Sequence, residues 1–261
     1  MTLWSRSHSL QRKIITAIVL VGLLPLTLLL ALTYVEERRA LREITGANFK
    51  EAAVEAARRI EMQVSRGMNE AQQLGTAPFL RTAVTEANRT YEGKDAQLIQ
   101  SMIKDWQQRW RKRDRQSEFP LFINRIATDY LIRWHDIRKS DYVGILVTDQ
   151  QGALVLSSIP QVEYFYGATP WWQVVVKGGS LKGYVSEIAF DPEFGTHVAV
   201  VAEPILDDTK GTVIGAVTIL LRRDTIFHAI AEITVGATGH AMLFSSDGVP
   251  VISRSARRSS T

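Results

Sequence analysis

Residues 14–35 read IITAIVLVGLLPLTLLLALTYV, 22 positions without a charge, and no other feature limits the fold so tightly. As a helix rising 1.5 Å per residue the run covers ~33 Å, against a bilayer core of about 30 Å. Its three threonines can bond back to the helix, and Pro25 predicts a kink that membrane helices tolerate. Tyr34 suits the far interface and Trp4 the near one. The competing reading is a cleaved signal peptide, but the run exceeds an apolar signal core of about 7–15 residues and no clean cleavage site follows. The expectation is an uncleaved transmembrane helix at 14–35 after a cytoplasmic tail at 1–13. Arg6, Arg12 and Lys13 before the run nearly balance Arg38, Arg39 and Arg42 after it. The short tail and the large downstream region favour an extracytoplasmic main domain at the inner (cell) membrane.

Downstream, Ala53, Ala57, Ile60, Val64, Met68, Ala71 and Leu74 recur every three or four residues between charged positions. This predicts one long helix over 36–74 with a narrow stripe that fits a partner helix or a sheet. It leaves the membrane with no linker before Gly46, which suits the transmission of movement. Thr76-Ala77-Pro78 breaks it, and further helices follow over 79–88, 95–113 and 118–137, the last carrying Phe119, Phe122 and Ile123. Residues 36–141 form this helical region.

After Lys139 the pattern changes to strands. YVGILVT (142–148), the turn Asp149-Gln150-Gln151-Gly152 and a strand over 153–157 come first. Trp171-Trp172 open a short helix after Pro170, and strands follow over 183–188, 196–205 and 212–221. Asp224 caps a helix over 225–234. A strand–turn–strand pattern then restarts at Ala241, with Ser246-Asp247-Gly248 as its turn, and a lone hairpin is marginal in water. The chain therefore reads as α+β, with an antiparallel module at 142–234 and the truncated beginning of a second, similar module at 235–261, as in a piece of a longer protein.

Signs of chemistry are few. The 261 residues include no cysteine, which excludes thiolate metal sites and a Cys nucleophile. His8, His135, His197, His228 and His240 show no metal-binding spacing, and no nucleophile elbow or phosphate loop appears, so neither an enzyme, a metal nor a cofactor is expected. Net charge is only +4. The basic run from Lys104 to Arg115 includes Trp106 and Trp110, but Asp105 and Asp114 interrupt it. It reads as a solvated face with both tryptophans inward, not as a nucleic-acid reader. Asn88-Arg89-Thr90 is a formal glycosylation sequon of little weight. The densest signal is Tyr164-Phe165-Tyr166-Gly167-Ala168-Thr169-Pro170-Trp171-Trp172, which fits either a packed lid or the wall of a small-molecule pocket.

The order of these features resembles the double Cache (tandem PAS-like) sensor domain of bacterial transmembrane receptors. It runs membrane helix, long helix, strand–DxxG–strand, Trp-Trp helix, the strand ending Glu203-Pro204-Ile205, Val213 to Val217, then Val235 to Leu243 with Asp247-Gly248. The resemblance implies a membrane-anchored extracytoplasmic sensor that binds a small molecule and works as a homodimer. The input of a two-component histidine kinase or a chemotaxis receptor fits; a membrane-anchored scaffold without a ligand is the alternative. It also implies a site at Tyr164, Tyr166, Trp171, Trp172 and Tyr184. Cache sensors of amino acids place an arginine where Thr169 stands here and a tyrosine where Trp172 stands, and add an aspartate from the last strand region, where residues 215–221 hold no acid. A neutral or largely apolar ligand is therefore expected rather than a zwitterion.

Overall fold

A computed structural model describes residues 12–15, 17–112, 125–160, 162–231, 233–235, 239–240, 242–244, 248 and 250–252. The chain divides into two units, Met1–Val54 and Glu55–Thr261.

In the first unit the described residues of the apolar run are helical, with one change of hydrogen-bonding register. A π-helical turn, Val19–Leu23, precedes the long helix α1, Leu24–Gly75. Pro25 lacks the N–H that would bond to the carbonyl four residues back, and the wider bonding register lies immediately before it. Among the described residues no helix is long and apolar enough to cross a membrane. Leu26, Leu28, Leu29, Leu30 and Leu32 are all exposed. Thr33 donates its hydroxyl to the Leu29 carbonyl at 2.9 Å, the back-bonding expected of a threonine in an apolar helix.

The second unit begins within α1, where Ala71 and Leu74 are buried. Gly67 and Gly75 allow close approach: a Cβ on Gly67 would meet Leu221, and one on Gly75 would meet the Pro204 carbonyl. Pro78 starts α2 (Pro78–Arg89), where its missing N–H costs nothing. In α3 (Ala96–Lys112), Asp95 accepts the Leu98 N–H at 2.7 Å, closing the first turn. Helix α4 (Arg125–Asp136) buries Ala127, Leu131 and His135. Phe119, Phe122 and Ile123 lie outside the described residues.

The sheet is antiparallel, in the order β2-β1-β6-β5-β3, with β4 also paired to β5. Its strands are β1 (Tyr142–Asp149), β2 (Leu154–Ser157), β3 (Tyr184–Val185), β4 (Ala189–Asp191), β5 (Thr196–Leu206) and β6 (Val213–Arg222). Of the expected strand over 183–188 only Tyr184–Val185 is strand, and β4 lies beyond its end. Ser186 still donates its N–H to the Val200 carbonyl at 2.9 Å, while its Oγ, in place of its carbonyl, accepts the Val200 N–H at 2.8 Å. Asp224 is not the cap expected. Strand β6 runs straight into α6 (Arg223–Ala231), and Asp224 lies in its first turn, where a carboxylate suits the helix dipole.

Alternation sorts the strands into two faces. Ile145, Val147, Val217 and Ile219 share the face of α1, α2 and α4, where Gly215 approaches Val84. On this face Glu70 accepts from the Tyr142 hydroxyl at 2.6 Å and from Arg66 Nε at 3.1 Å, and forms an ion pair with Arg138 at 3.1 Å. Arg138 also lies 3.9 Å above the Trp134 ring. The opposite face presents Leu146, Thr148, Ala216, Thr218, Leu220 and Ala202. Beyond the sheet, β7 (Thr234–Val235) pairs with β8 (Gly239–His240), and β9 (Leu243–Phe244) pairs with β10 (Pro250–Ile252). The last pair is the hairpin read at the chain's end; its turn residues Ser246 and Asp247 lie outside the described residues.

Candidate ligand-binding site

The site is built by a loop that behaves as a further strand. Leu154 donates its N–H to the Tyr164 carbonyl at 2.8 Å, and Tyr166 donates to the Gly152 carbonyl at 2.7 Å. Alternation then turns Tyr164 and Tyr166 to one side, where both are buried. Helix α3 holds the start of the loop, with Trp110 Nε1 donating to the Val162 carbonyl at 2.6 Å. The β4–β5 turn holds its middle: Glu193 accepts from the Glu163 N–H and from the Tyr166 hydroxyl, the latter at 3.1 Å. Burial raises the Glu193 pKa, and these two donors oppose the rise.

Pro170 at the first helical position starts α5 (Pro170–Trp172), which continues as a π-helical turn, Gln173–Lys177. Trp171 and Trp172 are buried by it, and Trp172 Nε1 donates to the Asp149 carbonyl at 3.3 Å. Thr169 turns its hydroxyl back to the Tyr166 carbonyl at 2.7 Å. Gly152, at φ +86°, closes the β1–β2 turn where a Cβ would meet Gly167 backbone at 2.5 Å. That close approach keeps the aromatic loop against the turn.

Tyr164, Tyr166, Trp171 and Trp172 share one cluster with Leu146, Ala202, Ala216 and Leu220, and the half-buried Tyr184 packs against it. The structure therefore brings together all five aromatics singled out in the sequence. Beneath the cluster lie Thr148 and Thr218, both 0% exposed, whose hydroxyls have no hydrogen-bond partner. Sequence reading missed them, because a threonine in a strand is ordinary β chemistry.

At the edge of the cluster is a cavity of about 50 Å³, lined by Tyr91, Met102, Ile103, Trp106, Asp149 and Tyr164 among others. Asp149, 1% exposed, accepts the N–H groups of Gln151 at 2.8 Å and Ala153 at 2.9 Å on one oxygen. The other oxygen accepts the Tyr91 hydroxyl at 2.7 Å. Burial pushes the Asp149 carboxyl up to about 6, while these bonds hold it down. Burial also raises the Tyr91 and Tyr164 pKa values, so both phenols stay neutral.

Other candidates resolve structurally. Trp110 is buried and Trp106 joins the cluster, while Arg109 pairs with Asp105 and Arg111 with Glu163. His135 Nε2 lies 3.2 Å from the Tyr142 carbonyl. The Asn88 side chain donates to the Ile214 carbonyl and accepts from Gln150, so the sequon is occupied by the fold itself. Among the described residues no cluster of His, Cys, Asp or Glu could hold a metal ion.

No protein-family model matches the chain, and no curated protein matches it. Among solved structures it is similar to the sensor domain of the V. cholerae histidine kinase DctB, at 13% identity and a TM-score of 0.45, over 74% of this chain and 60% of that one. It is also similar to the ligand-binding domain of the Pseudomonas aeruginosa PAO1 amino acid chemoreceptor PctB in complex with L-Arg, at 15% identity and a TM-score of 0.42, over 75% and 65%. A third likeness is the isoleucine-bound sensory domain of the Campylobacter jejuni chemoreceptor Tlp3, at 14% identity and a TM-score of 0.35, over 69% and 67%. The chain thus spans 60% of the DctB sensor domain. These solved structures are sensor or ligand-binding domains of a histidine kinase and of chemoreceptors.

Proposed function

We propose that the chain is a membrane-anchored, extracytoplasmic sensor module that binds a small uncharged molecule between the aromatic loop and the sheet and signals across the membrane. One observation carries this reading. Four large aromatic side chains are gathered over one sheet face by a loop tied down at separate polar points, with a cavity at its edge. Aromatic walls with few polar groups suit a neutral organic ligand. The anchor is supported by the exposed leucines of residues 14–35, which water solvates poorly and lipid accommodates. Homodimers and the identity of the signalling output belong to the same proposal.

The alternative, a scaffold without a ligand, is favoured by the tightness of the cover, since the four aromatics are each under 10% exposed. Thermal unfolding of the full chain in detergent against a metabolite panel separates the two. A ligand at 100 times its dissociation constant adds about 2.7 kcal/mol, which raises Tm by about 5 °C or more in a domain of this size. The sensor reading expects such a shift, lost in Trp171→Ala. A panel that moves nothing supports the scaffold.

A further inference from the structure

Asp149 is a buried carboxyl with one place left open. One of its oxygens accepts the N–H groups of Gln151 and Ala153, which fills both lone pairs. The other accepts only the Tyr91 hydroxyl, at 2.7 Å. Among the described residues no cation pairs with this carboxyl, although buried charges are normally paired. Tyr164 is similarly incomplete. It is 7% exposed, yet its hydroxyl makes no hydrogen bond among the described residues, and the Asp149 charge helps to raise its pKa.

Both groups line the same cavity of about 50 Å³, together with Thr90, Tyr91, Met102 and Trp106. The described lining holds no Lys, Arg or His. Lys94 is taken up by the Thr90 carbonyl and Arg109 by Asp105, and neither reaches the lining. Of the five aromatics assigned to the ligand position above, Tyr164 alone borders this cavity, so the two places are distinct.

We propose that the Asp149 cavity is a binding site for a short primary alkylammonium ion of the size of methylammonium. Its N–H donors meet the open lone pair of Asp149 and the unused oxygen of Tyr164. Its positive charge offsets the buried carboxylate, and the wall supplies three aromatic rings, Tyr91, Trp106 and Tyr164, whose quadrupoles attract a cation. Volume narrows the class. The share of one water in the liquid is about 30 Å³, so the cavity takes about two such molecules or an ammonium with one carbon, and excludes tetramethylammonium. A hard metal ion fits poorly, since it wants about six or more oxygens and no such cluster exists among the described residues. This site stands apart from the sensor reading and does not depend on it.

The test is thermal unfolding of the full chain in detergent at about pH 7.5, above the Asp149 pKa of about 6, where the carboxyl is ionised. Methylammonium chloride is the probe, up to about 100 mM, because so few atoms bind no more tightly than the millimolar range. Sodium chloride controls for salt, methanol for shape without charge, and tetramethylammonium chloride for charge without fit. Methylammonium is expected to raise Tm saturably by about 2 °C or more above sodium chloride, while methanol and tetramethylammonium do not. Asp149→Asn is expected to abolish the shift, and Tyr164→Phe to weaken binding about fivefold. Should Asp149→Asn fail to fold, Tyr164→Phe and the three controls decide the matter. No shift beyond sodium chloride, an equal shift with methanol or tetramethylammonium, or a shift that either folded variant leaves unchanged overturns the site. Each of these results leaves the metabolite panel, and with it the sensor reading, as it was.

Discussion

Replacing Asp149 with asparagine turns burial of one carboxyl into a measurable slope. The folded state holds this proton more tightly than the unfolded chain, because burial lifts the pKa from 3.8 to about 6. Stability from this group is therefore fully present below about pH 4 and is lost as pH rises through about 6. A shift of about two units at 1.36 kcal/mol each amounts to about 3 kcal/mol. No discount for solvent screening applies, since Asp149 is 1% exposed. Tyr91 and Tyr164, the titratable groups beside it, stay protonated throughout this range. Asparagine keeps an oxygen for the Gln151 and Ala153 N–H groups and does not titrate. Urea unfolding of both proteins, followed by tryptophan fluorescence from about pH 4 to 7.5, reads the difference. Wild-type stability minus that of Asp149→Asn is expected to fall by about 3 kcal/mol across the window, mostly between about pH 4.5 and 6.5. A difference that is flat to within ~0.5 kcal/mol, or that grows with pH, refutes the assignment of burial as the dominant cause.

Two further outcomes are expected. Gly152→Ala forces a side chain into a left-handed position and against the Gly167 backbone, so urea unfolding should show a loss of about 3 kcal/mol or more; a loss under ~1 kcal/mol would mean the turn relaxes freely. A periplasm-dependent reporter fused after Thr261 should be active, whereas one that works only in the cytoplasm contradicts the proposed anchor and orientation.

What could be read from the sequence follows from how local each cause is. Pro78 ends one helix and begins another through its own missing N–H, and Asp149 to Gly152 form a turn through bonds within five residues. Such features were legible. The aromatic cluster was legible as density, and the structure gathers its five members. Its relation to α3 was not, because Trp110 and Val162 are 52 residues apart. Tyr91 and Asp149 meet across 58 residues, so the carboxyl at the cavity looked like turn chemistry alone. Between β3 and β4 the register against β5 shifts by one residue, from Val185↔Val201 to Ala189↔Val198, which no periodicity reveals. Thr148 and Thr218 were hidden for the opposite reason. Their residue type is ordinary in a strand, and their interest lies in the partners they lack.

The ties on residues 162–166 bear on time as well as on affinity. Trp110, Glu193 and the two bonds to β2 and its turn hold a short stretch of chain at both ends and in the middle. With several such ties, no single release frees the stretch, and Tyr164 and Tyr166, both buried, are held by more than one of them. A ligand bound beneath this loop, as the proposed function has it, would arrive and leave no faster than the loop opens. If the proposed sensor function holds, such gating averages the ligand concentration over the opening interval and ignores briefer fluctuations. The grip that gives the cover its order thus also sets its memory.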